Sequence, residues 1–236
     1  MVVAIILLSL GAVMSGVFMA SKVINYSFKT IIFKTIASLF FVALGIYCFV
    51  VTPGHTAFKV LVLLGLIFGM LGDVFLGFKY ITTKTKKLWI LLGMFAFAAG
   101  HIFYLVSYFV EYYVPGNVLF IILPFVIAAC TVCVYLVIAK KVGIDFGKKM
   151  LPYAIFYIFC LTSMVTSSLF LAILHKFAIT TSIMIFIGAV FFATSDFMLT
   201  GAYFKPGDRP KAYLAIYSFC YYVAQFLIAF SIFFLV

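Results

Sequence analysis

The 236-residue chain is 68% hydrophobic and 9% charged, with a mean hydropathy of +1.35. A water-soluble domain carries about 25% charged residues, so this chain lacks the polar surface to cover itself in water, and its expected solvent is the bilayer. The net charge of +11, from 16 basic and 5 acidic residues, would suggest nucleic acid in a soluble protein. Here the basic residues lie between apolar runs, so topology accounts for them and no nucleic-acid partner is expected.

The apolar runs fall at 2–20, 31–51, 57–77, 88–109, 117–139, 151–173, 178–200 and 212–236. Each is near the ~20 residues that a helix needs to cross hydrocarbon. They are continuous rather than alternating, which excludes a barrel. Helices satisfy their own backbone in lipid, and the expectation is an all-α polytopic protein of eight transmembrane helices. Residues 1–236 then form one integral membrane domain. The first run has no basic residue before it and no small-residue cleavage site, so it reads as a retained helix rather than a signal peptide.

The links between runs alternate in charge. Loop 21–30 holds Lys22 and Lys29, and loop 78–87 holds Lys79, Lys84, Lys86 and Lys87. Loop 140–150 holds Lys140, Lys141, Lys148 and Lys149, and loop 201–211 holds Lys205, Arg209 and Lys211. The intervening links are short and hold His55, Glu111, and His175 with Lys176. The positive-inside rule puts the four basic loops in the cytoplasm and both termini on the opposite side. A bacterial plasma membrane is the expected location, or the endoplasmic reticulum in a eukaryote. Trp89, beside Lys86 and Lys87, fits an interfacial anchor. The spacing Cys130-x-x-Cys133 is found in redox motifs, but inside an apolar run it reads as two small packing residues.

One internal echo is present. Gly72-Asp73-Val74-Phe75-Leu76 ends the third run and Ser195-Asp196-Phe197-Met198-Leu199 ends the seventh. His101 and Ser107 in the fourth run match Gln225 and Ser231 in the eighth at nearly the same offset. This reads either as a parallel 4+4 helix repeat, an architecture known in membranes, or as chance likeness of short motifs.

Ionisable groups inside membrane helices are costly and are functional candidates by default. Asp73 and Asp196 each stand four residues before the expected end of their run, about 6 Å inside it. Asp73 shares a helical face with Gly65, Gly69 and Gly72, a close-packing pattern, and Asp196 shares one with Gly188 and Ala189. Both carboxyls are therefore expected to face the bundle interior. The plainer alternative is a pair of structural aspartates bonded to helix ends or lysines. Lys34 opens the second run, where it pairs with an aspartate, meets a phosphate or snorkels to the interface. His101 lies in mid-helix with Tyr104 and Tyr108 on its face. Tyr157, Tyr222 and Gln225 complete the expected polar lining.

These residues together resemble the YhhN family of lysoplasmalogenases. The matching features are Lys34 at a helix start, Gly72-Asp73-x-x-Leu76, Gly100-His101-x-x-Tyr104, Ser195-Asp196-x-x-Leu199 and Tyr221-x-x-Ala224-Gln225. Their order and spacing cover nearly the whole chain. The family often has Lys-Pro where this chain has Lys34-Thr35, a difference that concerns the helix start rather than the chemistry.

The resemblance implies hydrolysis of the vinyl ether bond of a lysoplasmalogen to a fatty aldehyde and a glycerophospho-ethanolamine or -choline. The partners are then a lysophospholipid substrate and the bilayer, with no cofactor and no metal. Asp73, Asp196 and His101 are the expected catalytic residues. Lys34, Tyr104, Tyr157, Ser195, Tyr222 and Gln225 are the expected substrate-binding residues. Vinyl ether cleavage needs a protonated acid and a group that stabilises an oxocarbenium ion or orients water, tasks that two carboxyls divide in glycosidases. Two rival readings stand beside it. One is a small proton-coupled transporter using the same buried carboxylates. The other is a metal-dependent intramembrane hydrolase with Asp73, Asp196 and His101 as ligands, which chelator sensitivity would reveal.

Overall fold

A computed structural model of the chain describes residues 1–24, 26–82, 84–112 and 118–235. It contains α1 (Val2–Ile24), α2 (Phe28–Val51), α3 (Thr56–Phe78), α4 (Lys86–Tyr112), α5 (Val118–Lys141), α6 (Gly147–Leu174), α7 (Thr180–Phe204) and α8 (Lys211–Ser231), followed by a 3-10 turn at Ile232–Phe234. All eight helices are long and apolar enough to cross a membrane, and the chain fits an integral membrane protein. The link between α4 and α5, with the expected start of the fifth run at residue 117, lies outside the described residues.

α8 is the most enclosed helix and packs on α7, α1, α2 and α3; α3 lies along α4, and α5 leans on α6 at the periphery. The polarity of a soluble protein is inverted at the rim. Ile5, Leu10 and Val13 on α1 and Leu119, Val126 and Val134 on α5 are exposed, as suits surfaces solvated by lipid chains. Cys130 and Cys133 are exposed on α5 as well, so they sit on this outer face rather than packing within the bundle.

The glycine pattern of α3 does what its spacing anticipated. Lipid supplies no hydrophobic drive between helices, so close backbone approach must hold them together. A Cβ on Gly100 would lie 3.1 Å from the Gly65 carbonyl oxygen, which places the α3 and α4 backbones in near contact. At the α7–α8 crossing, a Cβ on Gly188 would lie 3.2 Å from the Ala224 carbonyl oxygen.

The basic links gather at one end of the bundle. The rings of Tyr26 and Tyr80, from the α1–α2 and α3–α4 links, lie 4.0 Å apart. The Asp145 amide, between α5 and α6, donates to the Phe204 carbonyl at the end of α7 (2.9 Å). At the other end His55 Nδ1 lies 2.5 Å from Glu111 Oε1, and the His175 ring meets Tyr112 edge-on. Glu111 is therefore in the last turn of α4 and not in a loop.

Several helices outrun their apolar segments. α7 continues four residues past residue 200, because Gly201 admits the Tyr213 hydroxyl, which donates to the Met198 carbonyl (2.6 Å), and Phe204 packs on Phe146. Asp73 thus stands five residues from the end of its helix and Asp196 eight from the end of its own. The two carboxyls do not occupy matched positions in their helices.

Candidate active site

Both aspartates are buried, Asp73 at 1% and Asp196 at 5% exposure. They line one cavity near the basic end, together with Lys34, Ser195 and Tyr222 among the residues anticipated for the site. The cavity is narrow, about 30 Å³, enough for water and too small for a lipid head group without movement of its walls.

Asp73 is surrounded by donors. Lys34 Nζ lies 2.8 Å from Oδ1, and Oδ2 accepts from Ser38 Oγ (2.5 Å) and the Tyr221 hydroxyl (2.7 Å). Ser38 is one helical turn beyond Lys34, so α2 presents both to the same carboxyl. The Tyr222 hydroxyl donates to the Lys34 carbonyl (3.3 Å) and ties α8 to that turn.

Behind Asp73 a chain of side chains crosses the bundle. The Tyr104 hydroxyl donates to Gln225 Oε1 (2.8 Å), and Gln225 Nε2 donates to the Tyr221 hydroxyl (3.2 Å). The α3 glycines are the sockets for this chain. A Cβ on Gly65 would come within 2.2 Å of Tyr104, and one on Gly69 within 2.4 Å of Gln225 Nε2. Tyr104 and Gln225 are thus not cavity-lining residues as anticipated. They hold Tyr221, which touches Asp73.

Asp196 has different company. Its Oδ2 accepts a short hydrogen bond from the Tyr157 hydroxyl and lies 3.8 Å from His101 Nε2. His101 packs edge-on to Phe192, and its Nδ1 is buried with no partner among the described residues. His101 therefore backs Asp196 and does not line the cavity. Among the described residues no lysine or arginine is within ion-pair distance of Asp196. Nor do three His, Cys, Asp or Glu residues converge there as metal ligands would, so the donor set of the metal-dependent reading is not assembled.

A second cavity, about 40 Å³, lies between α4, α6 and α7. Ile90, Met94, Ala154 and Ile158 make it apolar, and Tyr157 opens onto it. Leu76, Phe97, Asp196, Leu199 and Tyr203 line both cavities and form the wall between them. Asp196 thus sits where a polar chamber adjoins an apolar one.

Sequence reasoning missed Ser38, Tyr221 and Lys22. Ser38 could have been found from its spacing of four after Lys34. Tyr221 stood in a motif already noted, but its neighbour Tyr222 was preferred. Lys22 was assigned to a loop as a topology charge, whereas it belongs to the last turn of α1 and lines the polar cavity. Lys79, just beyond α3, is 4% exposed and packs against the Tyr203 and Tyr80 rings. Burial, then the nearby charges of Lys22, Lys34 and Lys86, hold its ammonium well below the usual lysine range.

Fold and site together define a polytopic helical membrane protein with two buried, unequally partnered carboxyls on one cavity near the basic end of the bundle. The YhhN family model matches residues 29–232, and the chain belongs to the YhhN family. No curated protein and no solved structure matches it.

Proposed function

We propose that this protein hydrolyses the vinyl ether bond of lysoplasmalogens, releasing a fatty aldehyde and a glycerophospho-ethanolamine or -choline. The observation that carries the reading is the unequal environment of two carboxyls that share one cavity. Asp73 faces a lysine ammonium and two hydroxyl donors, the surroundings of a carboxylate. Asp196 faces a phenol and a histidine ring. Two carboxyls held in unlike surroundings can divide the acid and base roles.

On this reading Asp196 is the acid. Tyr157 engages Oδ2, leaving Oδ1 to carry the proton. Transfer of that proton to the alkene carbon not bonded to oxygen leaves an oxocarbenium ion at the ether carbon. Asp73, paired with Lys34, stabilises the cation and takes a proton from the attacking water. The resulting hemiacetal collapses to aldehyde and alcohol, and the proton held by Asp73 returns to Asp196. Proton transfer from a positioned acid is worth about 10²–10⁴ in rate. His101 positions Asp196 and Tyr157 rather than meeting the substrate.

The paired cavities suit an amphiphile. The polar chamber takes the glycerophospho group and the apolar one takes the alkenyl chain, which brings the vinyl ether to Asp196 at the shared wall. The chambers are small, about 30 and 40 Å³, so binding moves Leu76, Phe97, Leu199 and Tyr203. We place the basic end, and with it the site, at the cytoplasmic interface, with both termini on the opposite side.

Aldehyde release from lysoplasmenyl-ethanolamine by the purified protein tests the reading, beside a saturated ether analogue and an EDTA-treated sample. Aldehyde from the vinyl ether alone, undiminished by EDTA, is the expected result. No aldehyde from folded protein would refute the hydrolase, and loss of activity with EDTA would refute the metal-free mechanism.

A further inference from the structure

Of the roles open to Lys34, the structure shows pairing with an aspartate: its ammonium is committed to the Asp73 carboxyl at 2.8 Å and to the Asp73 carbonyl at 3.3 Å. A second lysine lines the same cavity. Lys22 reaches in from the last turn of α1, donates to Ser218 Oγ (2.7 Å) and stands 3.7 Å above the centre of the Tyr217 ring. Phe18 flanks it, with the ring centre 5.5 Å away. Among the described residues no carboxylate is within ion-pair distance of it. A hydroxyl and a ring face orient an ammonium without neutralising it, and a cation removed from water without a counter-charge is costly.

We infer that Lys22 is the anion-binding residue of the site and takes the phosphodiester of the lysolipid head group, with Ser218 and Tyr217 as its positioning residues. The inference rests on the hydrolase reading above for the nature of the lipid. Charge balance carries it. Lys34 and Asp73 cancel one another. Asp196 in its proton-donating form is neutral. Lys22 is then the uncompensated charge among the cavity-lining residues, and a phosphodiester monoanion matches it. Lys79, a buried lysine nearby, faces the Tyr80 and Tyr203 rings.

The geometry also separates this role from catalysis. Lys22 approaches from α1 and α8, whereas Asp196 is held from α4 and α6. Phosphate capture at Lys22 therefore anchors one end of the substrate while leaving the reacting end to the aspartates. A charge-assisted hydrogen bond to phosphate is worth about a tenfold change in affinity or more.

The test compares binding of two uncleavable ligands to the purified protein, 1-O-alkyl-lysophosphatidylethanolamine and 1-O-alkylglycerol, which lacks the phosphate. Wild type is expected to bind the phospholipid about tenfold tighter or more. Lys22→Met, which keeps the apolar stem, is expected to lose that preference while retaining affinity for the neutral ether, and Lys22→Arg is expected to retain it. A full preference in Lys22→Met would overturn the assignment. Because Lys22→Met could fold poorly, Ser218→Ala supplies a second reading, with a smaller loss of the same preference expected and no change counting against the positioning role. An arm with inorganic phosphate separates the sources of the anion: displacement of the phospholipid by phosphate alone would make this a free-anion site. Aldehyde release on the same samples keeps the two readings apart. A Lys22-dependent preference without aldehyde leaves the subsite standing and removes the hydrolase. Aldehyde release with unchanged kcat/KM in Lys22→Met does the reverse.

Discussion

Tyr157 hydrogen-bonds Asp196 from 39 residues upstream, and Lys34 reaches Asp73 across the same separation. In both cases the partner comes from the helix before the one that carries the aspartate. The preceding helix thus delivers a cation to one carboxyl and a phenol to the other. With Ser38 and Tyr221 also on Asp73 and His101 beside Asp196, the two acids are chemically unequal.

Removing that hydroxyl tests the positioning of the acid. Tyr157→Phe is expected to lower kcat about tenfold, the worth of one hydrogen bond to a charged or reacting group, and to leave KM nearly unchanged. Initial-rate kinetics decide it, and a change confined to KM would place Tyr157 in substrate binding instead.

The aspartates themselves are expected to separate by stability rather than by rate. Asp73→Asn and Asp196→Asn should each lower turnover by about 10² or more. Only Asp73→Asn strands a buried cation, a defect worth about 3–5 kcal/mol when the pair is fully enclosed and less here, where the Lys34 side chain is 14% exposed. Thermal unfolding should show a lowered Tm for Asp73→Asn that Lys34→Met restores, with turnover still absent in the double variant.

The chain Tyr104–Gln225–Tyr221 predicts non-additive energetics. Gln225→Leu leaves the Tyr104 hydroxyl buried without an acceptor, at a cost of about 1–3 kcal/mol. Adding Tyr104→Phe removes the stranded hydroxyl and should recover part of that loss. A double-mutant cycle on Tm measures the coupling, and strict additivity would show that the three residues do not act as a chain.

Gly69→Ala probes the same chain by shape alone. Its Cβ would stand 2.4 Å from Gln225 Nε2, so the amide must move and Tyr221 loses its donor. Reduced turnover is expected, together with a fall in Tm. Gly16→Ala, where an added Cβ meets nothing within 4 Å, serves as the control with neither effect.

Lys79 gives a pH dependence with a definite sign. Its native value lies well below the ordinary 10.5, chiefly through burial, so the unfolded chain binds the extra proton. Stability therefore rises with pH from the lowered native value up to the ordinary lysine value. Lys79→Met should raise Tm near neutral pH and flatten that rise, as Tm measured across the alkaline range will show.

The helices were legible in the sequence because hydrocarbon imposes one rule on every segment: about 20 apolar residues with an internally satisfied backbone. The inward direction of Asp73 was legible for a related reason, since its glycines share its helical face. Helix ends were not. α7 runs on to Phe204 because Gly201 receives Tyr213 and Phe204 finds Phe146, contacts between residues that no local pattern joins.

The sequence by itself determined the class of protein, the number of helices and the residues too polar to be in lipid without purpose. Only the tertiary structure decided how those residues are shared out. It gave Lys34 to Asp73 and left Lys22, bonded to Ser218, with no carboxylate partner among the described residues. It turned Tyr104 and Gln225 from lining into support, and it set His101 and Tyr157 on Asp196 alone. Composition and period are properties of one helix at a time, whereas the partner of a buried charge is chosen by which helices touch and at what height. That choice is made only when all eight have packed.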